Sequence, residues 1–222
     1  MPVVEDVDAE SPRPADQPSV EIAVVSGKTG EELHSFPVER PSAQFQVEMC
    51  ALGDLDSDGV DDFAVAAAQD KSPGTFDEVF EPGIVQLHSG RTGHRLRSLA
   101  GPDNGVSFGF SIDGSSPEDG GLMLIARYGI DFAGSPSVSS GPSTYWPGRV
   151  YGLTPASGEL TLRCEERGAS ARCVVWLGDV NGDAVADYVV GTSPDDAGDW
   201  RQGHVSVYSG ATDERLYRVP AQ

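Results

Sequence analysis

Basic residues are scarce: the 222-residue chain carries 15 Lys and Arg against 35 Asp and Glu, a formal net charge of −20. A nucleic-acid binder needs a basic surface to displace counterions, and this surface repels phosphate. Long uninterrupted runs are lacking too. Gly (27) and Pro (16) punctuate the chain so often that the longest stretch free of both is the thirteen residues from Val60 to Ser72. A membrane-spanning helix needs about 20 apolar residues, so none is expected, and long amphipathic helices are excluded on the same ground. Cysteine is limited to Cys50, Cys164 and Cys173, with no Cys-x-x-Cys spacing, too few for a disulfide framework. The three are expected to be buried thiols acting as small hydrophobes; pairing of Cys164 with Cys173 stays open for an exported protein. Residues 1–19 lack the basic start and apolar stretch of a signal peptide and read as a disordered, acidic, Pro-containing leader.

What is present repeats. One hairpin motif recurs four times, at Val24 to Leu33, Gln86 to Leu96, Val150 to Leu160 and Val207 to Leu216. Its turns, aligned on Ser26, Ser89, Thr154 and Ser209, step by 63, 65 and 55 residues. Each copy is an apolar run, a short turn and a second run opening on Leu, the pattern of two antiparallel strands. Between the hairpins lies a second element, Cys50 to Ala67 and again Val174 to Thr192: an apolar run, an Asp-rich loop, then a second apolar run. The stretch Ser107 to Tyr128 fills the same slot with its aspartate ladder degraded. The unit is thus four strands in about 60 residues, the size of a propeller blade. The fold class expected is all-β, with a half blade at 20–38 and four-stranded antiparallel blades at about 43–98, 107–165 and 171–219. That makes an incomplete or open propeller of about three and a half blades over 20–220.

The order of pieces resembles the FG-GAP repeat, the blade unit of the integrin α-subunit β-propeller and its bacterial relatives. The resemblance rests on Phe108-Gly109, on Gly53-Asp54 and Gly178-Asp179 opening the loops, and on the Ser-Gly-x-Thr-Gly turn. It implies an extracellular, cell-surface or periplasmic setting and a role in adhesion.

The first loop places Asp54, Asp56, Asp58 and Asp62 at positions 1, 3, 5 and 9, with Gly59 at position 6 and the Val60 carbonyl at position 7. Carboxylates at alternate positions, closed by a Gly turn, bring hard oxygens onto one centre, as Ca²⁺ requires. Without a cation they would repel one another. An EF-hand would need Glu at position 12, where Val65 and Val190 stand, so this is a strand-to-strand calcium loop. The second loop offers Asp179, Asn181, Asp183, Asp187 and the Val185 carbonyl, one carboxylate fewer. Ala184 replaces the position-6 glycine, and a left-handed conformation there costs about 1–2 kcal/mol. Two Ca²⁺ sites are expected, the second weaker by about tenfold or more.

Gly105-Val-Ser107-Phe-Gly109 matches the hydrolase elbow Gly-x-Ser-x-Gly, but a strand pattern follows where the elbow needs a helix. His34, His88, His94 and His204 fall in or beside hairpins and read as surface or packing residues. No catalytic constellation is identified. The variable loops, Gln69 to Gly83, Gly129 to Gly148 and Ser193 to Gly203, carry the aromatics Phe76, Phe80, Tyr145, Trp146 and Trp200. Loops on rigid scaffolds are where recognition lives, and in integrin-type propellers the corresponding loops help bind ligands. The reading is a calcium-binding β-propeller module for extracellular protein or glycan binding. The alternatives are the propeller portion of a secreted hydrolase or lyase, or a structural spacer. The unfinished half blade also invites pairing with further blades or another chain.

Overall fold

A computed structural model describes residues 21–38, 45–69, 83–102, 107–115, 121–127, 147–167, 169–194 and 203–220. The acidic leader and the five aromatics Phe76, Phe80, Tyr145, Trp146 and Trp200 lie outside the described residues. Fourteen strands form four antiparallel sheets, each strand paired with its neighbour in sequence. The first sheet holds β1 (Glu21–Val25) and β2 (Glu32–Pro37). The second holds β3 (Phe45–Ala51), β4 (Phe63–Gln69), β5 (Ile84–His88) and β6 (Arg95–Ala100). The third holds β7 (Phe108–Gly114), β8 (Met123–Arg127), β9 (Gly148–Thr154) and β10 (Glu159–Glu166). The fourth holds β11 (Ala169–Trp176), β12 (Tyr188–Pro194), β13 (His204–Tyr208) and β14 (Arg215–Pro220). The expected all-β class and antiparallel sheets are present. Among the described residues none of the sheets closes on itself. Among the described residues no helix is long and apolar enough to cross a membrane.

The hairpin turns explain the period. In each, the residue four after the Ser or Thr donates its N–H back to that residue's carbonyl: Gly30 to Ser26, Gly93 to Ser89 and Gly158 to Thr154 at 2.8 Å, and Asp213 to Ser209 at 2.9 Å. That residue sits in the left-handed region every time, with φ between 60 and 75°, which Gly adopts freely and Asp tolerates. A register shift follows in β1–β2, β5–β6 and β13–β14 at the same place, between Val24 and Val25, Leu87 and His88, and Val207 and Tyr208. Such bulges sharpen the local twist.

The sheets stack in chain order, each burying a core against the next. Ile22 and Val38 meet Val65 and Ala67 between the first and second sheets. Ala64, Ala66, Val85, Leu87 and Leu99 meet Phe108, Ile112, Met123 and Ile125 between the second and third. Leu124, Ala126 and Val150 meet Val174, Tyr188 and Val190 between the third and fourth. Strands of the middle sheets are covered on both faces, so β4 and β8 are apolar at successive residues and do not alternate with polar ones. The leading strands of the third and fourth sheets lie against the sheet before: β7 against β3, β4 and β5, and β11 against β7, β8 and β9. At Gly109, which has φ of 83°, a Cβ would lie 2.9 Å from that of Ala66. This glycine of the Phe-Gly pair therefore sets how closely β7 approaches β4.

The cysteines depart in part from expectation. All three are free thiols. Cys164 is buried and Cys50 half-buried, and burial pushes both thiols up to about 12. Cys173 is instead exposed, because a register shift between Ala171 and Cys173 turns it away from the core that Ala171 and Val174 enter.

Candidate metal centre

The two acidic loops join first strands to second strands, β3 to β4 and β11 to β12. Both are closed at the base by the same backbone pair. Leu52 N–H donates to the Asp62 carbonyl and Leu177 N–H to that of Asp187, each at 2.7 Å, and the aspartate N–H returns to Gly53 or Gly178. The position-1 aspartate turns the loop. Asp54 accepts the N–H groups of Asp58 and Gly59 at 3.0 and 2.8 Å. Asp179 accepts those of Gly182, Asp183 and Ala184 at 2.6, 3.2 and 2.8 Å. The N–H groups of Ala184 and Gly182 hold the Asp179 carboxyl below the usual carboxylate range.

The position-9 aspartates, Asp62 and Asp187, are buried. Each accepts one N–H from its own loop, Leu55 at 2.7 Å or Val180 at 2.9 Å. Each accepts a second from the neighbouring hairpin turn, Gly90 at 2.9 Å or Gly210 at 3.0 Å. These turns pass so close that a Cβ on Gly90 would collide with the Asp61 carbonyl, and one on Gly210 with that of Ala186. The Ser-Gly of the hairpin motif is therefore part of the loop's architecture. The sequence offered this only as a recurring dipeptide, since the contact spans 28 residues in one copy and 23 in the other.

In the first loop, oxygens of Asp54, Asp56 and Asp58 lie within 4.8 Å of one another. Arg91, from the turn after β5, donates to the Asp58 carbonyl at 2.6 Å and pairs with its carboxylate at 3.1 Å. It supplies one positive charge against this cluster. The donor set is wholly oxygen and fits a hard divalent cation. In the second loop an amide does part of the same work: Asn181 Nδ2 donates to Asp183 at 3.0 Å and Asp187 at 3.4 Å, while its Oδ1 accepts the Asp183 N–H. To present Oδ1 inward the amide must turn over. The second loop fits a cation less readily.

The backbone strain expected at Ala184 is present, with φ of 64°. It does not separate the loops, because Ser57, two positions earlier in the first, holds φ of 62°. Gly59 and Gly182, both at φ of 87°, are the glycine partners. The expected difference between the loops therefore rests on carboxylate count and on Asn181.

The remaining sequence candidates are placed as follows. In the degraded slot, Asp113 accepts the Trp176 N–H at 2.8 Å and ties β7 to β11. Ser107 is buried, with φ of 60°, and runs into strand β7. His34 Nε2 lies 3.2 Å from the Gly90 carbonyl, and the His88 ring stacks on Phe36 at 4.4 Å. His94 is exposed. His204 pairs with Glu166 at 3.1 Å, part of a buried cluster that sequence reading missed.

Fold and loops together define an all-β protein of tandem antiparallel sheets, two of which open on acidic, oxygen-rich loops. No known protein-family description matches the chain, and no curated protein is similar to it.

Proposed function

We propose that the chain is a calcium-binding β-propeller repeat module of the FG-GAP type, serving extracellular protein or glycan binding. The observation that carries this reading is the convergence of the Asp54, Asp56 and Asp58 oxygens in a loop whose position-9 carboxylate is buried and anchored from two sides. In the first loop Asp54, Asp56, Asp58, Asp62 and the Val60 carbonyl hold Ca²⁺; in the second Asp179, Asn181, Asp183, Asp187 and the Val185 carbonyl do. The cation neutralises the clustered carboxylates and locks the turn between two strands, a structural role. The sheet stack supports the blade reading, since the second and third sheets bury both faces on their neighbours and the fourth buries one on the third.

Calorimetric titration with Ca²⁺ tests the sites. Two sites are expected, the first tighter by about tenfold or more. Asp56→Asn removes most of the tighter one and Asp183→Asn the weaker. Equal affinities, or heat unaffected by both substitutions, would sink the assignment. Binding to glycan and protein arrays tests the role: Trp146→Ala and Trp200→Ala should weaken capture while leaving the thermal melt unchanged. Turnover of an ester or glycan in an activity screen would instead favour the propeller portion of a secreted hydrolase.

A further inference from the structure

Each of the first three sheets ends on a strand that reaches forward to the hairpin turn of the next sheet. His34 of β2 places Nε2 3.2 Å from the Gly90 carbonyl. A carbonyl can only accept, so the ring proton sits on that nitrogen. Arg97 of β6 donates to the Ser157 and Ala156 carbonyls at 3.2 and 3.3 Å. Arg163 of β10 donates to the Gly210 carbonyl at 2.6 Å and pairs with Asp213 at 2.7 Å. All three also lie against the left-handed residue of the turn they meet. A Cβ on Gly93 would stand 3.0 Å from His34 Cβ and Cγ, and one on Gly158 would strike the Arg97 guanidinium. In the fourth sheet that residue is Asp213 itself.

Two of these turns hold an acidic loop in their turn. In the second sheet the Gly90 N–H donates to Asp62 at 2.9 Å, and Arg91 pairs with the Asp58 carboxylate at 3.1 Å. In the fourth the Gly210 N–H donates to Asp187 at 3.0 Å, and the Ser209 hydroxyl to Asp183 at 3.4 Å. The hairpin turn thus reaches positions 9 and 5 of both loops. The glycine whose N–H grips position 9 is the one whose carbonyl His34 or Arg163 meets. The third sheet supplies the contrast. Arg97 meets its turn in the same way, but the aspartate ladder of that sheet is degraded.

We propose that His34 and Arg163 are positioning residues for cation binding. Each acts from the preceding sheet, through one hairpin turn, on the acidic loop of the next. This rests on the calcium reading above and names what sets the affinity of each loop. Holding the glycine by its carbonyl also fixes where its N–H points, and so places the position-9 carboxylate before an ion arrives. Groups that orient a ligand without touching the metal govern affinity in this way. Each link crosses one sheet boundary only, so the two loops are set separately. Arg163 makes a charge-assisted bond and an ion pair, and His34 a single longer contact. The second loop therefore depends on its neighbour more than the first does.

Magnetic resonance of the full, isotope-labelled chain, titrated with CaCl₂ at constant ionic strength, tests this. The Gly59 and Gly182 amides report the loops one by one, since they donate to Asp54 and Asp179 at 2.8 and 2.6 Å. His34→Phe should weaken calcium binding about threefold at the first loop alone. Arg163→Met should weaken it about tenfold at the second alone. Arg97→Met removes the same kind of contact beside the degraded ladder, and should leave both loops within about twofold of wild type. Without calcium, hydrogen exchange should quicken at Gly90 in His34→Phe and at Gly210 in Arg163→Met, which reads the tether with no metal present. Affinities unmoved by both variants overturn the proposal. So does an Arg97→Met protein that weakens both loops alike, which would make the effect a general loss of stability. The two loops are independent tests, so a variant that fails to fold in one leaves the other to decide. Wild-type amides that ignore calcium while the exchange pattern holds would instead overturn the calcium reading and, with it, the effect on affinity.

Discussion

Two residues in each acidic loop occupy the left-handed region, and in each loop one of the two is not glycine: Ser57 in the first, Ala184 in the second. A Cβ there costs about 1–2 kcal/mol, offset when glycine replaces it by the roughly 0.5–1 kcal/mol of extra chain entropy glycine loses on folding. Ala184→Gly should therefore stabilise the chain by about 0.5–1 kcal/mol, read as a higher urea midpoint at unchanged slope. Ser57→Gly should do the same. A neutral or lower midpoint for both would mean that the turns are not held this way in solution. The alternating carboxylates were legible in the sequence because ligand spacing is local. The left-handed serine was not, since Ser carries no signal for that conformation. Nor was the Asn181 amide that bridges two carboxylates in the second loop.

Strands are legible where punctuation is regular: four hairpin turns mark eight of the fourteen strands, and the apolar runs on either side of the loops between them mark the other six. Facing is harder, and β10 shows why. Leu160 packs toward the second sheet while Cys164 is buried toward the fourth, although the two have the same parity. The register shift between Leu162 and Cys164 reverses the faces midway, and no residue type announces it. As a result Glu165 and Glu166, adjacent acids of equal appearance, part company. Glu165 pairs with Arg149 and Arg167 at the surface. Glu166 is buried against the fourth sheet, where Tyr208, His204 and Arg218 reach it at 2.6, 3.1 and 2.7 Å. Burial pushes its carboxyl up, but hydrogen bonds from Tyr208, Ser206 and His204, with the Arg218 charge, hold it below the ordinary glutamate range. A carboxyl with a depressed folded pKa contributes stability above its unfolded value and loses it as pH falls through the folded value. Glu166→Gln should therefore cost about 2–3 kcal/mol at neutral pH, and the gap from wild type should shrink below about pH 4.5. Denaturation series at pH 7 and pH 3 measure this, and a gap that stays constant would remove the ionised carboxylate from the tie between the sheets.

Across the whole molecule, the charge and the sheets act against each other. The chain carries 35 acidic residues against 15 basic ones, and self-repulsion of that size lowers stability until it is screened. Any salt relieves part of it, so a stabilising effect of CaCl₂ alone would not distinguish bound ions from screening. The loops make the distinction measurable. A site of the affinity usual for extracellular calcium modules, about 10⁻⁴ M, stabilises by about 2.7 kcal/mol when calcium reaches a hundredfold excess over Kd. For a chain of this length that is about 5–10 °C in Tm. Melting in about 10 mM CaCl₂ should exceed melting in NaCl of equal ionic strength by that margin. MgCl₂ should give a smaller rise, because Mg²⁺ demands a stricter octahedron and sheds water reluctantly. Asp54→Asn with Asp56→Asn should erase most of the calcium-specific part while leaving the NaCl response intact. If CaCl₂ and NaCl move Tm equally at matched ionic strength, the acidic loops are hydrogen-bonded turns and the charge is a surface property alone.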